Sequence, residues 1–102
     1  MRTNVETRTQ DQVRYVTLVP DPGDKPPTLD YSVLDGLEAA VKDLRETQSA
    51  VRAVVLTARS EKYFVVGANL NALQTIDKDT IEHWVLRGHE VFNRLEELPV
   101  AV

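Results

Sequence analysis

Apolar residues fall into short extended runs at the front of the chain and into helical stripes further on, and the switch between these periods sets the expected order of elements. Val5 to Thr9 and Val13 to Val19 are rich in Val, Thr and Tyr, and Gln10-Asp11-Gln12 between them suits a tight connection, so the chain opens on a β-hairpin. The stretch Pro20-Asp21-Pro22-Gly23-Asp24-Lys25-Pro26-Pro27 is too rich in proline and glycine to continue a ladder, and the second strand is expected to stop at Pro20. Asp30 can accept from the free amides of a first helical turn. Val33, Leu34, Leu37, Val41 and Leu44 then keep to one stripe, which predicts a helix from Tyr31 to Glu46. Gly36 interrupts that helix at a cost of about 1 kcal/mol relative to alanine.

Gln48 and Ser49 break the helical pattern, and Val51 to Thr57 is a nearly continuous apolar run, the signature of a strand covered on both faces. Strand, helix and strand in this order imply a right-handed crossover in a partly parallel sheet. Tyr63-Phe64-Val65-Val66 is a second short run, expected to be buried, and Gly67-Ala68-Asn69-Leu70 follows it. Asn69 is placed to cap a helix whose inward residues are Leu70, Leu73 and Ile76. Asp79 and Glu82 have the spacing of a capping box. Ile81, Trp84, Val85, Val91, Phe92, Leu95 and Leu98 continue at helical intervals, so the last helix runs from Thr80 to Leu98. Pro99 ends it, and Val100-Ala101-Val102 reads as the start of another buried strand. The 102 residues are therefore expected to be the front part of something longer, with an edge prone to association.

Composition narrows the function classes. With 42% hydrophobic and 27% charged residues the chain is that of an ordinary globular domain. A formal charge of −4 gives no electrostatic footprint for nucleic acid or an anionic membrane. Cysteine is absent, which excludes disulfides, thiolate nucleophiles and Cys-containing zinc sites. No apolar stretch approaches the roughly 20 residues that cross a bilayer, and the first residues do not form a signal-peptide core; a cytoplasmic location is the default expectation.

The chain has no phosphate loop, no dinucleotide-binding glycine turn and no nucleophile elbow. His89-Glu90-Val91-Phe92-Asn93 begins like a zinc-protease helix, but Asn93 replaces the second histidine and His83 lies off the face of His89, so no metal site is expected. Glu96 and Glu97 point in different directions on a helix and read as solvated charge. The segment from Phe64 to Leu70 carries more chemistry. A glycine between an apolar run and a capped helix lets backbone amides face outward, where a negative charge is welcome. Gly67 permits close approach, and the small side chain of Ala68 leaves its N–H accessible to an oxyanion forming on a carbonyl. By spacing alone, an ordinary strand-to-helix turn explains the same residues.

Three segments then carry a resemblance: Val54-Val55-Leu56-Thr57-Ala58; Tyr63-Phe64-Val65-Val66-Gly67-Ala68-Asn69-Leu70; and Val91-Phe92-Asn93-Arg94-Leu95-Glu96-Glu97-Leu98-Pro99-Val100-Ala101-Val102. In order and spacing they resemble the first part of the enoyl-CoA hydratase/isomerase (crotonase) family, and the likeness runs from the N-terminal hairpin to the last residue. It implies an α/β fold, the N-terminal portion of a crotonase-like spiral of strand-strand-helix units. It also implies an enzyme that holds the carbonyl oxygen of an acyl-CoA thioester between two backbone amides. Ala68 is similar to the residue that supplies the first amide, with Val66 and Gly67 leading to it and Asn69, Leu70 and Asn71 lining the acyl-CoA pocket. Lys25 to Leu29 is similar to the family segment that passes the CoA moiety. There Pro27-Thr28-Leu29-Asp30 stands where Asn-Ala-Leu-Ser is common, so Thr28 and Leu29 are implied to line the substrate and Lys25 to meet a CoA phosphate.

The departures are Asn69, where the family commonly has Asp, and Asn71, where a basic residue is frequent. The second amide and the acid–base carboxylates are expected beyond Val102, so the default reaction, hydration of a trans-2-enoyl-CoA, is not separable from isomerisation, dehalogenation, hydrolysis or C–C cleavage. The resemblance implies no cofactor other than coenzyme A within the substrate, and a homo-oligomer, trimer or hexamer, as the complete protein. The alternative is a non-catalytic α/β interaction or assembly domain.

Overall fold

The computed structural model describes residues 2–21, 23, 25–47, 50–68, 74, 77, 78 and 80–102. Strands β1 (Arg2–Gln10) and β2 (Val13–Asp21) pair antiparallel, in a register that runs from Arg2↔Asp21 to Gln10↔Val13. Asp11 and Gln12 close the hairpin with φ of 53° and 68°, the left-handed pair that matches the twist of a two-residue connection. Helix α1 (Tyr31–Thr47) crosses over to β3 (Ala53–Ala58), which lies parallel to β2 from Val13↔Ala53 to Leu18↔Ala58. The sheet order is β1-β2-β3, and α2 (Ile81–Glu96) follows.

The ladder continues past the point where proline was expected to end it, since Pro20 pairs with Thr3 and β2 reaches Asp21. The reason is orientation. The Leu18 carbonyl accepts from Arg59 N, so it faces the β3 side, and alternation along the strand turns the nitrogen of Pro20 to that side too. β3 has already ended at Ala58, opposite Leu18, so no ladder bond is asked of the missing N–H.

α1 begins as expected: the Asp30 carboxylate accepts from Val33 N at 2.9 Å, satisfying one free amide of the first turn. Its stripe of Val33, Leu34, Leu37, Val41 and Leu44 is buried against Val16 and Leu18 of β2 and Val54 of β3 in one core. Each such side chain contributes about 1.5–3 kcal/mol by leaving water, set against the entropy of ordering it. Gly36 is required by proximity. A Cβ there would stand 2.8 Å from Cγ2 and 2.9 Å from Cβ of Val5, so any side chain would push α1 off β1.

α2 joins this core through Val91 and Leu95, with Leu98 just beyond it. Arg87 bonds to Asp35 at 2.8 Å and to Glu38, and Arg94 bonds to Glu38 at 2.5 Å, tying the helix to α1. The Arg87 hydrogen bond, aided by the charges of Arg87 and Arg94, holds the Glu38 carboxyl below the usual carboxylate range. No helix among the described residues is long and apolar enough to cross a membrane.

Expectations about burial are corrected at several points. β3 is covered on one face only, for Val54 is buried while Val55 is 40% exposed. Tyr63, Phe64 and Val66 are exposed and Val65 half-buried, so the run before Gly67 is a surface strip. On α2, Ile81, Val85 and Phe92 are exposed and Trp84 half-buried, because the apolar residues span two faces and α1 meets one. The Asp79–Glu82 box involves a residue outside the described ones. Before α2, Asp77 and Thr80 exchange bonds, Asp77 N to Thr80 Oγ1 at 2.9 Å and Thr80 N to Asp77 Oδ1 at 3.0 Å. At the far end, Ala101 bridges Ala53 in parallel and accepts from Val54 N at 2.8 Å. This is an isolated bridge where the start of a buried strand was expected, and Ala101 and Val102 are exposed.

Candidate functional site

The segment that leaves the proline-rich loop and the strip that follows β3 meet side by side. Val66 N donates to Pro27 O at 3.1 Å and Leu29 N donates to Gly67 O at 2.8 Å, and Leu29 and Ala68 form an isolated parallel bridge. Gly67 has φ +131°, a conformation that L side chains rarely adopt. That backbone reversal lets both the Val66 amide and the Gly67 carbonyl face residues 27–29.

The orientation of the next amide follows from planarity. In a trans peptide the N–H is anti to the preceding C=O. The Gly67 carbonyl is engaged by Leu29, so the Ala68 N–H points away from residues 27–29. Among the described residues it has no hydrogen-bond partner. Ala68 is half-buried, and its methyl group does little to shield the nitrogen. The arrangement is a fixed donor able to bond a carbonyl or carboxylate oxygen that approaches from the side away from residues 27–29.

The other residues singled out by sequence fall in different surroundings. Leu29 is half-buried beside Ala68, and Gly67 and Val66 are exposed on the strip. Thr28 is buried, its N–H donating to Thr3 Oγ1 at 3.2 Å, and its own hydroxyl has no partner among the described residues. A ligand lying along this segment therefore meets Thr28 through the backbone. Lys25 is exposed on the loop. Asn69, Leu70 and Asn71, and the helix expected after them, lie outside the described residues.

Two cations escaped attention in the sequence. Arg59 and Lys62, with Gly23, Ser60, Glu61 and Tyr63, line an open cleft at the C-terminal end of β3, where ligands of open α/β sheets commonly bind. Arg59 pairs with Glu6 at 3.1 Å, and both side chains are largely exposed. Their signal was a pair of basic residues flanking the turn just ahead of the Tyr63 strip. His83, considered above for a metal, instead approaches the Tyr31 hydroxyl at 3.0 Å through Nδ1, and Trp84 packs edge-on against the Tyr31 ring at 5.0 Å.

Comparison with known proteins bears on the fold that carries these residues. No family model matches the chain. The fatty acid oxidation complex subunit alpha of Idiomarina loihiensis is 33% identical over 73 residues, which are 70% of this chain and 10% of that protein. Among solved structures, enoyl-CoA hydratase from Bacillus anthracis superposes with a TM-score of 0.85 at 22% identity, covering 96% of this chain and 38% of that one. Enoyl-CoA hydratase from Mycobacterium smegmatis gives a TM-score of 0.78 at 27% identity, covering 95% of this chain and 38% of that one. The chain thus spans a tenth of the curated relative and little more than a third of these solved chains. The mixed sheet and crossover helix have the fold of the N-terminal part of these enoyl-CoA hydratases, and the likenesses together support the enoyl-CoA hydratase/isomerase (crotonase) family for this chain.

Proposed function

We propose that the chain supplies the first oxyanion donor of an enzyme acting on acyl-CoA thioesters, with hydration of a trans-2-enoyl-CoA as the default reaction. The observation that carries this reading is the Gly67–Ala68 peptide, whose carbonyl is tied to Leu29 and whose N–H is thereby aimed away from residues 27–29. As a nucleophile adds to the β-carbon of the substrate, electron density moves onto the thioester oxygen. Ala68 N–H donates to that oxygen, and one such donor is worth roughly 3 kcal/mol of barrier.

The thioester lies on the side of residues 66–68 turned away from residues 27–29, toward which the Ala68 N–H points, and the resemblance assigns Leu29, Asn69, Leu70 and Asn71 to the substrate as well. Five residues span at most about 17 Å, so the cleft at Tyr63 lies within reach of the CoA moiety of a thioester held at Ala68. The cations Arg59, Lys62 and Lys25 then offer its phosphates a favourable field. The second amide and the carboxylates that move protons come from outside these 102 residues, in an oligomer of the complete protein. The reaction needs no cofactor beyond the CoA that the substrate carries, and the enzyme works in the cytoplasm.

Acetoacetyl-CoA, an enolisable thioester, tests the reading. Titration into the protein is expected to give saturable binding that Ala68→Pro abolishes, since proline has no N–H. Replacing Ala68 by lactic acid, which converts the amide to an ester and keeps the side chain, makes the same deletion with less disturbance. Undiminished binding by that ester variant would overturn the oxyanion role. The exposed Ile81, Val85 and Leu86 on α2 favour a second reading, a non-catalytic assembly domain. Failure of the unaltered protein to bind the ligand at millimolar concentration would select it.

A further inference from the structure

We infer that Thr3 is a positioning residue for the Ala68 amide, acting through the main chain of Thr28 and Leu29; the inference rests on the oxyanion reading above. Thr3 is 2% exposed and lies near the start of β1. Its side chain shares a face of the strand with Val5, the residue against which Gly36 of α1 packs. Valine would fill that position with the same volume and an equal preference for strand, so packing alone does not call for a hydroxyl.

The hydroxyl has a specific task. Successive amides of an extended segment point to opposite sides. Pro27 O and Leu29 N face the strip, where they bond Val66 N and Gly67 O, so the Thr28 N–H faces β1 and meets Thr3 Oγ1 at 3.2 Å. The 27–29 segment is clamped from both sides. One side is a side-chain oxygen on β1, and the other is the peptide whose N–H serves the substrate. Thr28 offers no substitute through its own hydroxyl, which is buried and without a partner among the described residues. With Thr3 Oγ1 removed, a buried N–H loses its acceptor, the segment shifts toward another, and the Leu29–Gly67 bond that fixes the Ala68 amide loosens.

Thr3→Val removes the acceptor and keeps the shape. It is expected to weaken acetoacetyl-CoA binding by about threefold to tenfold, the range of one net hydrogen bond. Exchange of the Leu29 amide should accelerate while the amides of β2 keep their protection, and Thr3→Ser should restore both. A purely structural role would instead raise exchange across β2 and Leu29 together. Wild-type binding by Thr3→Val, in a protein where the Ala68 ester abolishes binding, would overturn the positioning role and leave the oxyanion reading standing. Wild-type binding by the Ala68 ester would remove both. Should Thr3→Val fail to fold, the unaltered protein decides: a Thr28 amide held by Thr3 exchanges as slowly as the β2 ladder, and exchange at the rate of exposed Gly23 overturns the proposal.

Discussion

α1 and α2 are amphipathic helices of 17 and 16 residues, and they use their apolar residues differently. α1 buries its whole stripe, from Val33 and Leu34 to Leu44, under one face of the sheet. α2 buries Val91 and Leu95 in its second half and leaves Ile81, Val85, Leu86 and Phe92 exposed, while Arg87 and Arg94 reach back to α1. The lesson concerns what periodicity reports. It counts apolar positions on a helix; whether a surface exists to cover them depends on residues far away in sequence. Within these residues α1 is seated by packing, and α2 by a short apolar contact plus ion pairs.

That contrast can be broken most forcefully at Leu34, which is 1% exposed in the first turn of α1. Leu34→Ala is expected to cost about 2–5 kcal/mol in urea unfolding, the range for truncating a well-packed leucine. Gly36→Ala should follow at up to about 2 kcal/mol, a strain of about 1–3 kcal/mol less the helix gain. The gain in helix propensity, about 1 kcal/mol, is smaller than the strain of a Cβ placed against Val5. A stabilised Gly36→Ala protein in a thermal melt would show that α1 has room to move.

Acid should act on α2 and spare α1. A carboxyl whose folded pKa is lowered lends stability that is complete above its ordinary 4.5 and is lost as pH falls through the lowered folded value. Below pH 4.5, Trp84 on α2 is therefore expected to change its fluorescence before the far-ultraviolet dichroism of the whole chain declines. In Glu38→Gln that early step should vanish. The smallest effect belongs to Leu86, which is 56% exposed: Leu86→Ser should alter stability by no more than about 0.5 kcal/mol, and light scattering should show less self-association.

Much of the fold was legible because local signals agreed with tertiary ones. The Asp30 cap, the α1 stripe and the apolar β3 run each produced the element they predicted. Pro20 misled because its meaning depends on which side of β2 has a neighbour, and that was fixed by where β3 ends. The strip at Tyr63 to Val66 misled in the opposite direction. An apolar run does not state whether it faces a core or a ligand. At the candidate site, the sequence pointed to Gly67 and Ala68 through glycine and small-residue chemistry, yet the direction of the amide came only from a bond to Leu29, nearly forty residues earlier. Thr3 was invisible for the same reason, since nothing around it in the sequence distinguishes it from any strand threonine.

The tether between Leu29 and Gly67 also decides when an entropic toll is collected. A free peptide plane would have to stop librating as an anion arrived, and the encounter would be weaker by the freedom lost. Here the plane was immobilised when the chain first folded, so an incoming oxygen meets a dipole already at rest.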